Sequence, residues 1–346
     1  MAMIRGCSQR VAVPVARGTL RAAIMQGPMG TPDLFEQARY TPRNPSVAKL
    51  LAEYSSRYMP LFERVKGEWD PLVREFYRNA MGLSLGSGAS PRKAPAGRGR
   101  KAAGDAGVPI QIRPDRDDTF LRAVDEMLPD VDFARIGALR ELRESLHKAA
   151  PHFAGDPGRQ RAHAWMLTDI EAHIGTNSLE GPFSTLMNTP GKHRDVFGSY
   201  FYADQHVELY YMPLLIYCEY RGIDLQWAIV KVLAHELAHA YHHAGRDSDG
   251  RTWPAMPKAA PEVKEGLAEY WSERFVRAHE HAYPALRTAY DGMLDGKSGA
   301  YRSVLEWRDD HTQEQVRLAM VMVRKHGAVD HAAFKAMLAE AKRVLG

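Results

Sequence analysis

His235-Glu236-Leu237-Ala238-His239 places two imidazoles four residues apart, with a carboxylate beside the first. Residues four apart lie on one face of a helix, so both rings can reach a single metal ion. Glu236 falls on a neighbouring part of that face, where it can hold a water. These are the parts for hydrolysis by a zinc-activated water. A hydrolytic zinc site takes about three protein ligands and keeps the fourth position for water. The pentapeptide supplies two, so a third must come from elsewhere in the chain.

Several residues compete for that place. His242 and His243 continue the same helix, but His242 lies ~10.5 Å from His235 along the axis at ~1.5 Å per residue. A straight helix cannot bring His235, His239 and His242 to one ion. Asp247 and Asp249 follow Gly245 in a loop and remain open as ligands. The better candidate is Glu265, in the stretch Glu262-Val263-Lys264-Glu265-Gly266-Leu267-Ala268-Glu269-Tyr270-Trp271. Glu262, Glu265, Glu269 and Glu273 form a stripe at helical spacing, which on its own describes a solvated acidic face. The small and apolar residues between them, Gly266 above all, point instead to close packing of part of this helix near a metal. A ligand histidine usually donates its second N–H to a carboxylate or carbonyl, and Glu269 and Asp247 are the candidates here.

The pentapeptide followed by Glu265-Gly266-Leu267-Ala268-Glu269-Tyr270 resembles the gluzincin metallopeptidases, in which a downstream Glu in a Glu-Gly-x-Ala-x-Tyr context completes the zinc site. The resemblance covers roughly residues 195–275. It implies one Zn2+ held by His235, His239 and Glu265, Glu236 as catalytic base, a zincin-like core, and a peptide or protein substrate. In such a mechanism the bound water reaches a pKa near ~7 and the scissile carbonyl is polarised, while Glu236 moves the water's proton toward the leaving amine. The tetrahedral oxyanion calls for a donor beyond the metal. Tyr270, Tyr301 and His242 are available, and Tyr301, in Gly299-Ala300-Tyr301-Arg302, is preferred as the further catalytic residue. A rival reading keeps the zinc for structure or partner binding, as a non-catalytic scaffold. Glu236 argues against it, because a structural zinc needs no base.

The elements that must position these groups follow from periodicity and caps. The expected fold is α+β and mostly helical, with a small β-hairpin or sheet and a helical C-terminal part. Asp224 opens the motif helix and Gly245 ends it. Another helix spans about Glu262–His279, and further helices are expected over Pro284–Leu294, Gln313–Lys325 and His331–Leu345. Upstream, helices are expected from Asp118 or Thr119, over Phe133–Ala150, and over Arg159–Ile174. Val196–Ala203 and His206–Tyr211 change to strand character around a turn at Asp204-Gln205 and read as a hairpin directly upstream of the motif helix. His206–Tyr211 is the strand expected to bind extended peptide by β-augmentation.

The rest of the chain divides by composition. Residues 1–45 read as a basic leader or disordered tail, since Arg5, Arg10, Arg17 and Arg21 precede the first acid, Asp33. Residues 46–82 form a helical segment, with Val47, Leu50, Leu51, Tyr54, Tyr58, Leu61 and Phe62 at three-four spacing. Residues 83–113 read as a flexible basic linker, rich in Gly, Pro and Ser and carrying Arg92, Lys93, Arg98, Arg100 and Lys101. Such a tether admits contact with nucleic acid and thus a DNA-associated protease, although no aromatic residues interleave it. Residues 114–346 form the expected peptidase domain. The 346-residue chain is 45% apolar and 25% charged, ordinary values for a soluble globular protein, and its net charge of +4 does not by itself imply a polyanionic partner. Only Cys7 and Cys218 occur, so no disulfide framework exists and a reducing, cytoplasmic setting is expected. No apolar run approaches the ~18 residues of a membrane span.

Overall fold

The helix that carries the motif is buried on every side, from Ala228 to His242, and the other elements are arranged around it. A helix apolar all round belongs in a protein core. The Asp224 side chain caps it by accepting from the Gln226 N–H at 2.8 Å, and Gly245 stands at its end. Both boundaries follow the expectation.

The computed structural model describes residues 40–85, 107–114, 118–187, 196–248, 250–253, 255–294 and 299–346, without the side chains of 184–187. All of these belong to one compact unit. The first helices are α1 Pro45–Glu53, α2 Met59–Met81, α3 Thr119–Met127, α4 Phe133–Ala149, α5 Pro157–Thr176 and α6 Glu180–Met187. Then come α7 Tyr211–Arg221, the motif helix α8 Leu225–Ala244, α9 Pro261–His279 and α10 Pro284–Leu294. The short α11 Gly299–Arg302, α12 Gln313–His326 and α13 His331–Leu345 complete the series. The strands are β1 Ile110–Arg113, β2 Gly198–Phe201 and β3 His206–Tyr210. The protein is therefore α+β and mostly helical, with one small sheet. No helix among the described residues is long and apolar enough to cross a membrane. The expected leader falls almost wholly outside the described residues.

The segment 46–82 folds onto the motif helix. In α2 the buried residues Phe62, Val65, Trp69, Val73, Tyr77 and Met81 recur at three-four spacing and form one face. Tyr77 donates to the Ala234 carbonyl at 2.8 Å, and Tyr241 donates back to the Arg74 carbonyl at 2.8 Å, so α2 and α8 are tied at both ends of the motif. A single π-helical turn, Tyr54–Tyr58, joins α1 to α2.

Three expectations change. The segment 83–113 is not a linker throughout: Leu83 and Val108 are buried, Ser84 bridges to Arg246, and Ile110–Arg113 is strand β1. β1 pairs in parallel with β3, from Ile110 opposite Val207 to Arg113 opposite Tyr210. The charged centre of that segment, residues 86–106, lies outside the described residues. Second, the hairpin is not directly upstream of the motif helix. Helix α7 intervenes, built from the apolar run that buries Cys218. Third, β3 cannot receive an added strand, because the sheet order is β1-β3-β2 and β3 is paired on both sides. Its Glu208 is buried and held by Arg113 Nε at 2.8 Å and by the Tyr210 hydroxyl at 3.0 Å. β2, antiparallel to β3 from Gly198 opposite Leu209 to Phe201 opposite His206, is the edge strand on the side of α8.

Candidate metal centre

Three ligand-type atoms from two helices converge. His235 Nε2 and His239 Nε2 lie 3.2 Å apart, and Glu265 Oε2 is 3.2 Å from the first and 3.3 Å from the second. The His pair comes from adjacent turns of α8 and the carboxylate from α9, which packs along it. Ligand atoms ~2.0–2.1 Å from a tetrahedral ion stand about 3.3–3.4 Å apart. The observed triangle matches that spacing, and the donor set of two imidazoles and one carboxylate suits zinc. Both histidines are almost fully buried, whereas the Glu265 side chain keeps 18% of its surface exposed, so the cluster meets solvent on the α9 side. Burial pushes the Glu265 carboxyl up. The charge of His239 and the hydrogen bonds from both histidines outweigh that and hold it well below the usual carboxylate range.

Each ring is steadied at its other nitrogen. His235 Nδ1 lies 3.1 Å from Glu269 Oε2, so of the two expected carboxylates it is Glu269 that stands behind this ring. His239 Nδ1 lies 3.4 Å from the hydroxyl of Tyr202, which follows β2.

Glu236 is 1% exposed and sits between α8 and β2. Gly198, the first residue of β2, lies so close that a Cβ there would stand 3.0 Å from Glu236 Cγ, 2.9 Å from Val232 Cγ1 and 3.0 Å from the Glu208 carbonyl oxygen. Glycine lets the strand approach Glu236 at this distance. Gly266 plays the corresponding part on α9. A Cβ on it would meet Ser303 Oγ at 2.7 Å. Its close approach is to the segment 299–306 rather than to α8, and Ser303 fastens that segment by donating to the Glu262 carbonyl at 2.8 Å. The segment brings the Tyr301 ring to 5.7 Å from the His235 ring.

The other candidates fall elsewhere. His242 is completely buried, its ring 6.5 Å from that of His239. His243 Nδ1 pairs with the Tyr200 hydroxyl at 3.0 Å. Asp247 binds Arg324 Nη1 at 2.9 Å and the Trp253 indole N–H at 2.5 Å. Asp249 lies outside the described residues. Tyr270 turns to a separate charged cavity of about 340 Å³ with Glu273, Arg274 and Arg308. Among the described residues, His235, His239 and Glu265 are the group of three or more ligating side chains that could hold a metal ion.

Sequence reasoning missed Lys231, Gly198 and Tyr202. Lys231 was detectable as a lone charge in the apolar run Ala228–Ala234, one turn before His235. The other two act across elements and leave no local signal. No protein-family model, no curated protein and no solved structure matches this chain.

Proposed function

We propose that the chain is a zinc-dependent peptidase of the gluzincin type, with a zincin-like core built around α8, α9 and the small sheet. His235, His239 and Glu265 hold one Zn2+, and the substrate is a peptide or protein. The observation that carries the reading is the triangle of 3.2–3.3 Å between the two Nε2 atoms and Glu265 Oε2, with Glu236 buried beside it.

When bound, the ion supplies Lewis acidity, polarising a carbonyl and bringing the pKa of water to near ~7. Glu236 accepts the proton of the attacking water and passes it to the leaving amine. Its packing against Gly198 fixes where that carboxylate can stand. Tyr301, whose ring lies 5.7 Å from that of His235, would donate toward the scissile oxygen as negative charge develops. An extended substrate would lie along the outer edge of β2, next to the base, and satisfy its backbone groups by strand addition. Glu236, buried and next to His235 in the chain, favours this reading over a zinc scaffold, which needs no base.

The test measures bound zinc and cleavage of a random peptide pool for the wild type, Glu236→Gln and Glu265→Ala. Glu236→Gln is expected to keep one zinc and lose turnover by about 100-fold or more. Glu265→Ala is expected to lose zinc. Full zinc retention in Glu265→Ala would overturn the ligand set. A zinc-loaded wild type that cleaves nothing in the pool would overturn the peptidase.

A further inference from the structure

Lys231 is the single charged residue of α8 before Glu236, and it is 1% exposed. Its Nζ lies 3.0 Å from Glu269 Oε2, the same oxygen that stands 3.1 Å from His235 Nδ1, and Glu269 itself has no exposed surface. The arrangement is two facing pairs at helical spacing. Lys231 and His235 are four apart on α8, and Glu265 and Glu269 are four apart on α9, so each pair shares one helix face. Across the contact, the metal-side members meet at 3.2 Å and the inner members at 3.0 Å.

Packing does not explain an ion pair at this depth. Removing two charges from water costs several kcal/mol per ion, and an apolar pair of the same volume commonly serves stability as well or better. The Tyr290 ring, 5.8 Å from Lys231 Nζ, walls the pair in further. What the pair does have is a position: it fixes the one oxygen that faces the ligand imidazole.

We infer that Lys231 is a positioning residue of the metal centre: through Glu269 it holds His235 in its ligating orientation. This rests on the zinc-site reading above. Without the ammonium, Glu269 loses the ion pair made by the oxygen that faces His235 Nδ1.

The test is a double-mutant cycle on the full chain, with Lys231→Met, Glu269→Gln and the two combined. Zinc affinity is read by competition with a chromophoric chelator, and ligand geometry by the visible spectrum of the cobalt(II)-loaded protein. Lys231→Met in the wild-type background is expected to weaken zinc binding by about 10–100-fold, the usual effect of losing an outer partner of a ligand histidine, and to shift the cobalt bands. In the Glu269→Gln background the same substitution is expected to cause no further loss, because its route to His235 is already gone. An equal loss in both backgrounds, or wild-type affinity and spectrum in Lys231→Met, would overturn the inference. If Lys231→Met does not fold, Glu269→Gln is compared with the double variant, which carries neither buried charge; weaker zinc binding in the double variant overturns the inference. His239→Ala separates the two levels. Undiminished zinc binding there removes the three-ligand reading itself, whereas zinc loss there with additive Lys231 effects removes only the role of Lys231.

Discussion

Two histidines three residues apart on α8 have opposite environments. His239 turns Nε2 to His235 and Glu265 and sets Nδ1 against Tyr202. His242 is completely buried, and neither of its ring nitrogens has a hydrogen-bond partner among the described residues. Burial, reinforced by the positive charges of His239, Arg324 and His235, pushes the His242 pKa well below its ordinary value of 6.5. The unfolded chain therefore binds a proton that the folded chain refuses, and stability falls with pH once pH drops below about 6.5. One such proton changes stability by up to about 1.4 kcal/mol per pH unit. In urea titrations between pH 7.5 and 5, with chelator present throughout, His242→Gln should lose stability more shallowly than the wild type. Parallel curves would show that this ring is not held neutral. The residues that could be read from the chain were those whose meaning lies in spacing: His235, Glu236, His239 and, through its small and apolar neighbours, Glu265. Lys231, Tyr202 and Gly198 take their roles from atoms on other elements, which spacing does not report.

At the scale of elements, the exact end of α8 matters because His239 and His242 lie in its last two turns. Arg324 of α12, with no exposed surface, donates to the Gly245 carbonyl and pairs with Asp247 Oδ1 at 2.9 Å. A cation at a helix C-terminus complements the partial negative charge of its last carbonyls. The loop beyond is closed by the pairing of Arg246 with Ser84 and Thr252. Arg324→Met removes the Asp247 pair and leaves the Gly245 carbonyl without this donor, which costs about 1–3 kcal/mol. A denaturation midpoint lowered by that amount is expected; a loss below about 1 kcal/mol would mean that other contacts fix the helix end. The helix boundaries were legible because caps and breakers are local signals, Asp224 at one end and Gly245 at the other. The sheet was only half legible. The hairpin pairs neighbouring segments, but β1 is four residues that pair with a strand about a hundred positions on. That long-range partner turns β3 from an edge into the centre of the sheet and leaves β2, with Gly198 against Glu236, at the edge.

The whole molecule assembles its centre from segments far apart in the chain: Gly198 on β2, the motif on α8, Glu265 and Glu269 on α9, and Tyr301 on α11. None of these holds the ligand triangle by itself, so a metal ion bound there bridges α8 and α9 in the folded state and finds no equivalent site in the unfolded chain. Binding is then linked to folding, and free zinc at about 1,000 times its dissociation constant should add about 4 kcal/mol of stability. A bound ion would also offset charge where two histidines, two carboxylates and a lysine meet along one contact. Thermal denaturation of the wild type with buffered zinc and with excess chelator should therefore give two well-separated midpoints. His239→Ala should unfold at one midpoint in both conditions, near that of the chelated wild type. Coincident midpoints for the wild type would mean that the triangle of His235, His239 and Glu265 carries no metal linkage, and the zinc-dependent reading would fall with it.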